Sequence, residues 1–490
     1  MQYLLGIDFG GGASKATLLR TDGTVAAECT AEYSMQHPEI GACEQNPEDW
    51  LIALSKNTKR ILSEAQISPS QILALAIDSA THSSVVCGAD RKPLRPCLHW
   101  TDSRSRKQSE ELREKYGSKI FEKTLHFPDT VWTLPQLCWL RENEPDLFKR
   151  IRYVFFEKDY IRYCLTDVFC TDRIEAQGSM LFDCKRNEWD PWLCELAGLH
   201  SSCLPPVREP TDVIGTVTPE AAKLTGLAAG IPVICGTTDT AMEVFASGAV
   251  FAGDMTVKLA TAGRICVITD HPCADRHLVN YSHIVNGLWY PGTATKAAAA
   301  SYRWYRDTFG GNYQEMDAGA KIIPTGCEGL IFHPYLNGEL TPYGDPTLCG
   351  SFIGIRANHT RAHFSRAVLE GVALSLLDNK RYLDRLGIPH REKAILIGGG
   401  AKSALWSQIT ANALGICLKT VEHSDSSLGS AILAGVAVGV FQNCAEAVEK
   451  CVRKTGEVFP DPAEVEKYAR LYESYKLVHD ALAPIYKERK

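Results

Sequence analysis

The chain has 490 residues, 45% of them hydrophobic and 22% charged, with a formal net charge of −6. Single cores stop growing at roughly 250 to 300 residues, so this length predicts two large domains. A mildly acidic chain without clustered Lys and Arg excludes nucleic acid and an anionic membrane surface as partners.

In chain order, "YLLGIDFGGGASKATLLRTDGTVAAE" (residues 3–28) reads as an apolar strand, a Gly-rich turn, a second strand, an Asp-Gly hairpin signal and a third strand. No basic region precedes it, so the opening is a strand and not a signal peptide, and a cytoplasmic protein is expected. "ILALAID" (Ile72 to Asp78) is a further apolar strand. "PVICGTTDTAME" (Pro232 to Glu243) is an apolar run that ends in a Gly-Thr-Thr turn and then presents one carboxylate, Asp239. "MTVKLATAGRICVITD" (Met255 to Asp270) repeats strand, small-residue turn and strand, and "KAILIGGG" (Lys393 to Gly400) is the counterpart of Ile72 to Asp78. The repetition predicts two similar α/β domains, 1–245 and 246–490.

A helix is expected from near Lys402, after the second glycine run. "AILAGVAVGVF" (Ala431 to Phe441) falls well short of the ~20 residues that span a bilayer and reads as a buried small-residue helix. The last element is an amphipathic helix with Asp461 as N-cap, Pro462 at the first helical position, and Val465, Tyr468, Tyr472, Tyr475 and Leu482 on one face. The eighteen cysteines are spread along the chain with no Cys-x-x-Cys pair, which predicts reduced core thiols instead of zinc or disulfides.

Chemistry enters at the glycine runs. Gly10, Gly11 and Gly12 let backbone N–H groups approach a phosphate, and Asp8 at the strand end can hold a hydrated magnesium ion. The run is not a P-loop, which needs Gly-Lys-Ser/Thr opening a helix, and it also reads as a plain turn followed by an exposed Lys15. At the second run, Gly399 and Gly400 precede a helix whose N-terminus offers unpaired N–H groups and a positive dipole end to a nucleotide.

Two longer stretches carry a resemblance. "DTVWTLPQLCWLRENEPDLF" (Asp129 to Phe148) and "GSFIGIRANHTRAHFSRAVLEG" (Gly350 to Gly371) resemble, along their whole length, the two signatures of the FGGY family of carbohydrate kinases. "DFGGGASK", "LATAG", "NGELTPYGDP" and "GGGAKSALW" follow in the family's order, so the similarity covers nearly the whole chain, and within the family it looks most like the xylulokinase-type pentulose kinases. The resemblance implies two actin-like, ribonuclease-H-like domains of the ASKHA superfamily flanking a deep catalytic cleft. Sugar is then held mainly by the first domain, ATP mainly by the second. It implies an ATP- and Mg²⁺-dependent kinase acting on a terminal hydroxyl of a ketopentose such as D-xylulose. Kinases for gluconate, glycerol, erythritol or another ketose, and a catalytically silent sugar-binding regulator, are the alternatives. A homodimer is left open.

Residue by residue, the resemblance makes Asp239 the catalytic base, a role compatible with capping the helix that follows. Asp8 organises magnesium through water, while Gly10, Gly11, Gly12, Lys15 and Thr261 attend the phosphates and Gly399, Gly400 and Ser403 lie along the nucleotide. In the first domain Thr81 and His82, with Trp100 and Asp102 of "HWTDSR", line the sugar pocket. His82 on its own reads first as a satisfied, partly buried histidine. The chain departs from the family at Gly11-Gly12, where relatives carry Thr-Ser, at Ala260 for a glycine, at Ala80-Thr81 for Gln-Met, and at Thr240 for Asn. The changes at Ala80, Thr81 and Thr240 bear on which sugar is accepted.

Overall fold

In the computed structural model, residues 1–488 are described and the chain divides into two compact units. The first comprises Met1–Val250, Tyr281–Gly287 and His423–Val452; the second comprises Phe251–Asn280, Leu288–Glu422 and the chain from Arg453 onward. The expected division at 245/246 falls at the end of a helix, Asp239–Ala246, and residues beyond it are shared between the two units.

The first unit is built on a six-stranded sheet. β1 (Tyr3–Phe9), β2 (Ala13–Arg20) and β3 (Val25–Glu32) form an antiparallel meander, as the Gly-rich and Asp-Gly turns predict. β4 (Ile72–Ser79) runs parallel to β1, β6 (Pro232–Ile234) runs parallel to β4, and β5 (Val213–Thr216) closes the edge antiparallel to β6. The order is β5-β6-β4-β1-β2-β3. One face is covered by α1 (Pro47–Ala65), whose Trp50, Leu54 and Ile61 are buried. The Ser426–Ala437 helix also lies on β1. A Cβ built at Gly6 would stand 1.9 Å from the carbonyl oxygen of Ser427, so only glycine permits this approach. The "AILAGVAVGVF" run is thus a buried small-residue helix in its first part, with Ala431 to Ala434 fully buried, but the helix ends at Ala437 and Val436 to Val440 are half-buried or exposed.

The second unit repeats the plan. β7 (Met255–Leu259), β8 (Gly263–Val267) and β9 (Gly292–Thr295) are an antiparallel meander. β10 (Lys393–Ile397) is parallel to β7, β11 (Cys417–Val421) is parallel to β10, and β12 (Lys454–Val458) is antiparallel to β11. Counted outward from the first strand of each unit, the two sheets have the same sequence of antiparallel and parallel pairings. The terminal helix runs Pro462–Glu488 with Asp461 accepting from the N–H of Ala463, and buries Tyr468, Tyr472 and Tyr475 of the predicted stripe. No helix among the described residues is long and apolar enough to cross a membrane, and all eighteen cysteines are free.

Candidate functional site

The Pro232–Glu243 stretch folds as strand, turn and helix. Gly236 makes the turn possible. Its φ is +68°, and a Cβ there would meet the carbonyl oxygen of Ile77 at 2.3 Å. The chain then enters the Asp239–Ala246 helix, in which Thr238, not Asp239, is the N-cap. Asp239 is free to present its carboxylate, and it is partly exposed. Its Oδ1 accepts from the N–H of Thr240 at 2.5 Å, from the Thr240 hydroxyl at 3.2 Å and from the Thr81 hydroxyl at 3.2 Å. All three bonds end on the same oxygen.

Asp8 is the penultimate residue of β1 and stands in register with Asp78 on the parallel β4. Neither Asp8 Oδ1 nor Asp78 Oδ1 receives a hydrogen bond from an N–H or hydroxyl, although both oxygens are shut off from solvent. Burial pushes Asp8 up to about 7; hydrogen bonding with Asp78 and Ser426 works against the rise, while the charges of Asp239 and Glu243 add to it. Asp78 is raised as well, first by burial and then by the charge of Asp8, while the hydroxyl of Ser430 donates to its Oδ2. Facing carboxyls that each keep one oxygen without a donor are hard oxygen ligands of the kind that suits a divalent cation. The loop after Asp8 keeps ordinary backbone angles. Gly12 has open space where a Cβ would be, and Gly11 has only ordinary contacts with Met35 and His99, so these glycines leave room rather than relieve strain.

His82 sits at φ +51° with its N–H donating to Glu175 Oε1 at 2.5 Å and its Nε2 3.2 Å from the hydroxyl of Tyr281. It packs with Trp132, which also packs on His126, and burial lowers its pKa to about 3, keeping the ring neutral. Trp132 belongs to the first signature stretch. Trp100 is 40% exposed, with its N–H on Ser83 Oγ at 3.3 Å.

Three sequence-predicted residues have their polar groups committed elsewhere. Lys15 Nζ lies between Glu28 at 2.9 Å and Asp425 at 2.7 Å. Asp102 accepts from the N–H of Cys43 and pairs with the Arg104 guanidinium, so it ties down a loop. Ser403 donates to Asp317 and accepts from the N–H of Trp406, capping the helix Ala404–Leu414, which follows a short 3₁₀ turn over Gly399–Lys402. In the second unit Thr261 lies in the exposed turn between β7 and β8, its carbonyl accepting from Ala298 and Ala300. The Gly398–Gly400 turn is pressed against the end of β7. Cβ atoms built at Gly398 and Gly400 would meet Leu259 at 2.7 and 2.8 Å, whereas Gly399 faces open space.

Several acids around Asp239 were not singled out from the sequence. Glu157 is wholly buried with neither side-chain oxygen hydrogen-bonded, and burial, followed by the charges of Asp8 and Asp239, pushes it well up. Burial likewise raises Glu175 and Asp78, each of which keeps one oxygen without a hydrogen bond. Asp78, the one acid in the apolar run Ile72 to Asp78, was the one available signal; Glu157 stands beside Lys158 and Asp159, and Glu175 near Asp172 and Arg173, so charged neighbours hid them.

Residues 3–246 match the N-terminal domain of the FGGY family of carbohydrate kinases and residues 256–438 match its C-terminal domain. The xylulose kinase of Bacillus subtilis is 31% identical over 484 residues, covering 98% of this chain and 97% of that one. The gluconokinase of the same organism is 27% identical over 485 residues, covering 96% and 94%. Among solved structures, the xylulose kinase from Rhodospirillum rubrum superposes with a TM-score of 0.91 at 28% identity over 99% of this chain and 100% of that chain.

Proposed function

The chain belongs to the FGGY family of carbohydrate kinases and is a sugar kinase, and we propose that it moves the terminal phosphoryl group of ATP onto a terminal hydroxyl of a ketopentose, D-xylulose first among them. A sugar hydroxyl is too weak an acid to attack phosphorus unaided, so a carboxylate must accept its proton as the transfer proceeds. Asp239 is that base in this reading. Thr81 and Thr240 hold Oδ1, which leaves Oδ2 to take the proton. That bonding pattern, on a partly exposed acid at the first position of a helix, is the observation that carries the proposal.

Mg²⁺, when bound, neutralises charge on the phosphates; Asp8 would hold it, with Asp78 behind. The open backbone of Gly10, Gly11 and Gly12 and the exposed turn at Thr261 are assigned to the phosphates, and Gly399 and Gly400, with the backbone of Ser403, to the nucleotide, the Ser403 hydroxyl being taken by Asp317 and Trp406. Thr81, His82 and Trp100 are assigned to the sugar. Lys15 and Asp102 keep structural roles, since their charges are already paired. Eighteen free thiols suit a reducing compartment where ATP is made, so the cytoplasm is the proposed location.

Gluconate is the second reading, because a gluconokinase aligns over nearly the same length as the xylulose kinases. An ADP-release assay over neutral ketoses, polyols and D-gluconate decides between them. D-Xylulose is expected to give the highest kcat/KM. A higher value for gluconate would replace the substrate, and ADP release indifferent to every sugar would remove the reading.

A further inference from the structure

A buried charged cluster lies behind the site and takes no part in the steps above. Lys158, Asp159, Arg162, Asp172, Glu175 and Thr237 are all fully buried. Lys158 Nζ pairs with Asp159 and with Asp172 at 2.8 Å, and Arg162 pairs with Asp159 at 3.0 Å while donating to the carbonyl oxygens of Cys170 and Cys235. Burial works against the Lys158 charge, but Asp159 and Asp172 outweigh it and hold the ammonium protonated. A buried ionic cluster is a poor way to gain stability compared with apolar packing, and removing one member leaves an unpaired charge. Its geometry suggests another use.

Asp172 is the junction. Its Oδ1 accepts from the N–H groups of Ile174 at 2.9 Å and Glu175 at 3.2 Å, capping the short Arg173–Gly178 helix, and from the Thr237 hydroxyl at 2.7 Å. Thr237 is two residues ahead of Asp239. From the same helix Glu175 takes the N–H of His82, a residue in the left-handed region that histidine adopts at a cost. The turn bearing the base and the turn bearing the sugar contact are therefore fastened to one rigid piece of chain. We propose that Asp172, through Thr237, and Glu175, through His82, are positioning residues that hold base and sugar contact in register. The proposal rests on the kinase reading above.

Two pairs of variants test it, with kcat, KM for D-xylulose, KM for ATP and thermal midpoint measured on the full chain. Thr237→Val removes one hydroxyl from a side chain of the same shape. It should lower kcat by about tenfold or more with both KM values and the midpoint little changed, and Thr237→Ser should restore the rate. Glu175→Leu should raise the sugar KM by about tenfold and leave that for ATP alone, and Glu175→Gln, which still accepts from His82, should recover it. Unchanged kcat in Thr237→Val overturns the proposal, as does activity falling only in step with thermal stability. If Glu175→Leu does not fold, the Thr237 pair decides alone. Asp239→Asn runs beside them. Wild-type turnover in that variant would sink the kinase base itself, whereas a dead Asp239→Asn beside an unimpaired Thr237→Val would sink only the positioning role.

Discussion

At Gly236 the chain turns with φ +68° against the backbone of Ile77, and everything that Asp239 contacts depends on that turn. Gly236→Ala forces a Cβ to within 2.3 Å of a main-chain oxygen and into a backbone region disfavoured for alanine. It is expected to cost about 2 to 4 kcal/mol in urea unfolding, and a loss under about 0.5 kcal/mol would mean that the turn can rearrange. At this scale the sequence reading reached what local pattern encodes. An acid at the close of an apolar run and glycines at strand ends pointed to Asp239, Asp8 and the two loops, and Thr81 does bond to Asp239. It did not reach what folding brings together from afar. Asp78 meets Asp8 across two strands, and Glu175 meets His82 from 93 positions away. Lys15 carries the right charge for a phosphate, yet its ammonium is taken by Glu28 and by Asp425, 410 positions distant.

Among elements, the strand Ile331–His333 and the terminal helix Pro462–Glu488 meet at His333. Its ring is buried, with Nε2 3.1 Å from the Tyr475 carbonyl and Nδ1 3.2 Å from Ser351 Oγ. Burial lowers its pKa to about 4, only partly offset by the Tyr475 carbonyl. An unfolded histidine titrates near ~6.5, so the unfolded chain takes the proton first. The contribution of His333 is complete above that value and is lost as pH falls from it towards about 4. The stability difference between wild type and His333→Gln should therefore shrink by about 2 kcal/mol between about pH 7 and about pH 5, measured by urea unfolding. An unchanged difference would mean that the ring is not held neutral. The tyrosine stripe of this helix was legible because a period near 3.6 shows in the sequence whatever the helix packs against. The small-residue helix at Ser426–Ala437 was legible as buried, but not as covering β1, because the contact depends on a glycine more than 400 positions earlier, Gly6.

Over the whole molecule, two similar α/β halves were readable from the two matching hairpins; the parallel strands beside each hairpin come from the structure, where the two sheets share their pairing pattern. The exchange of chain between units was not readable. Tyr281–Gly287 and His423–Val452 belong to the first unit by packing, and hydropathy does not say which core a buried segment joins. Tyr281, which reaches His82, comes from one of these returns.

Turnover integrates all of this, and the most direct measurement is ADP formation by Asp239→Asn at saturating ATP and D-xylulose, with sugar affinity followed separately by titration of tryptophan fluorescence. The account predicts sugar affinity within about threefold of wild type and kcat lower by about 10² to 10⁴. Undiminished kcat in that variant would contradict it.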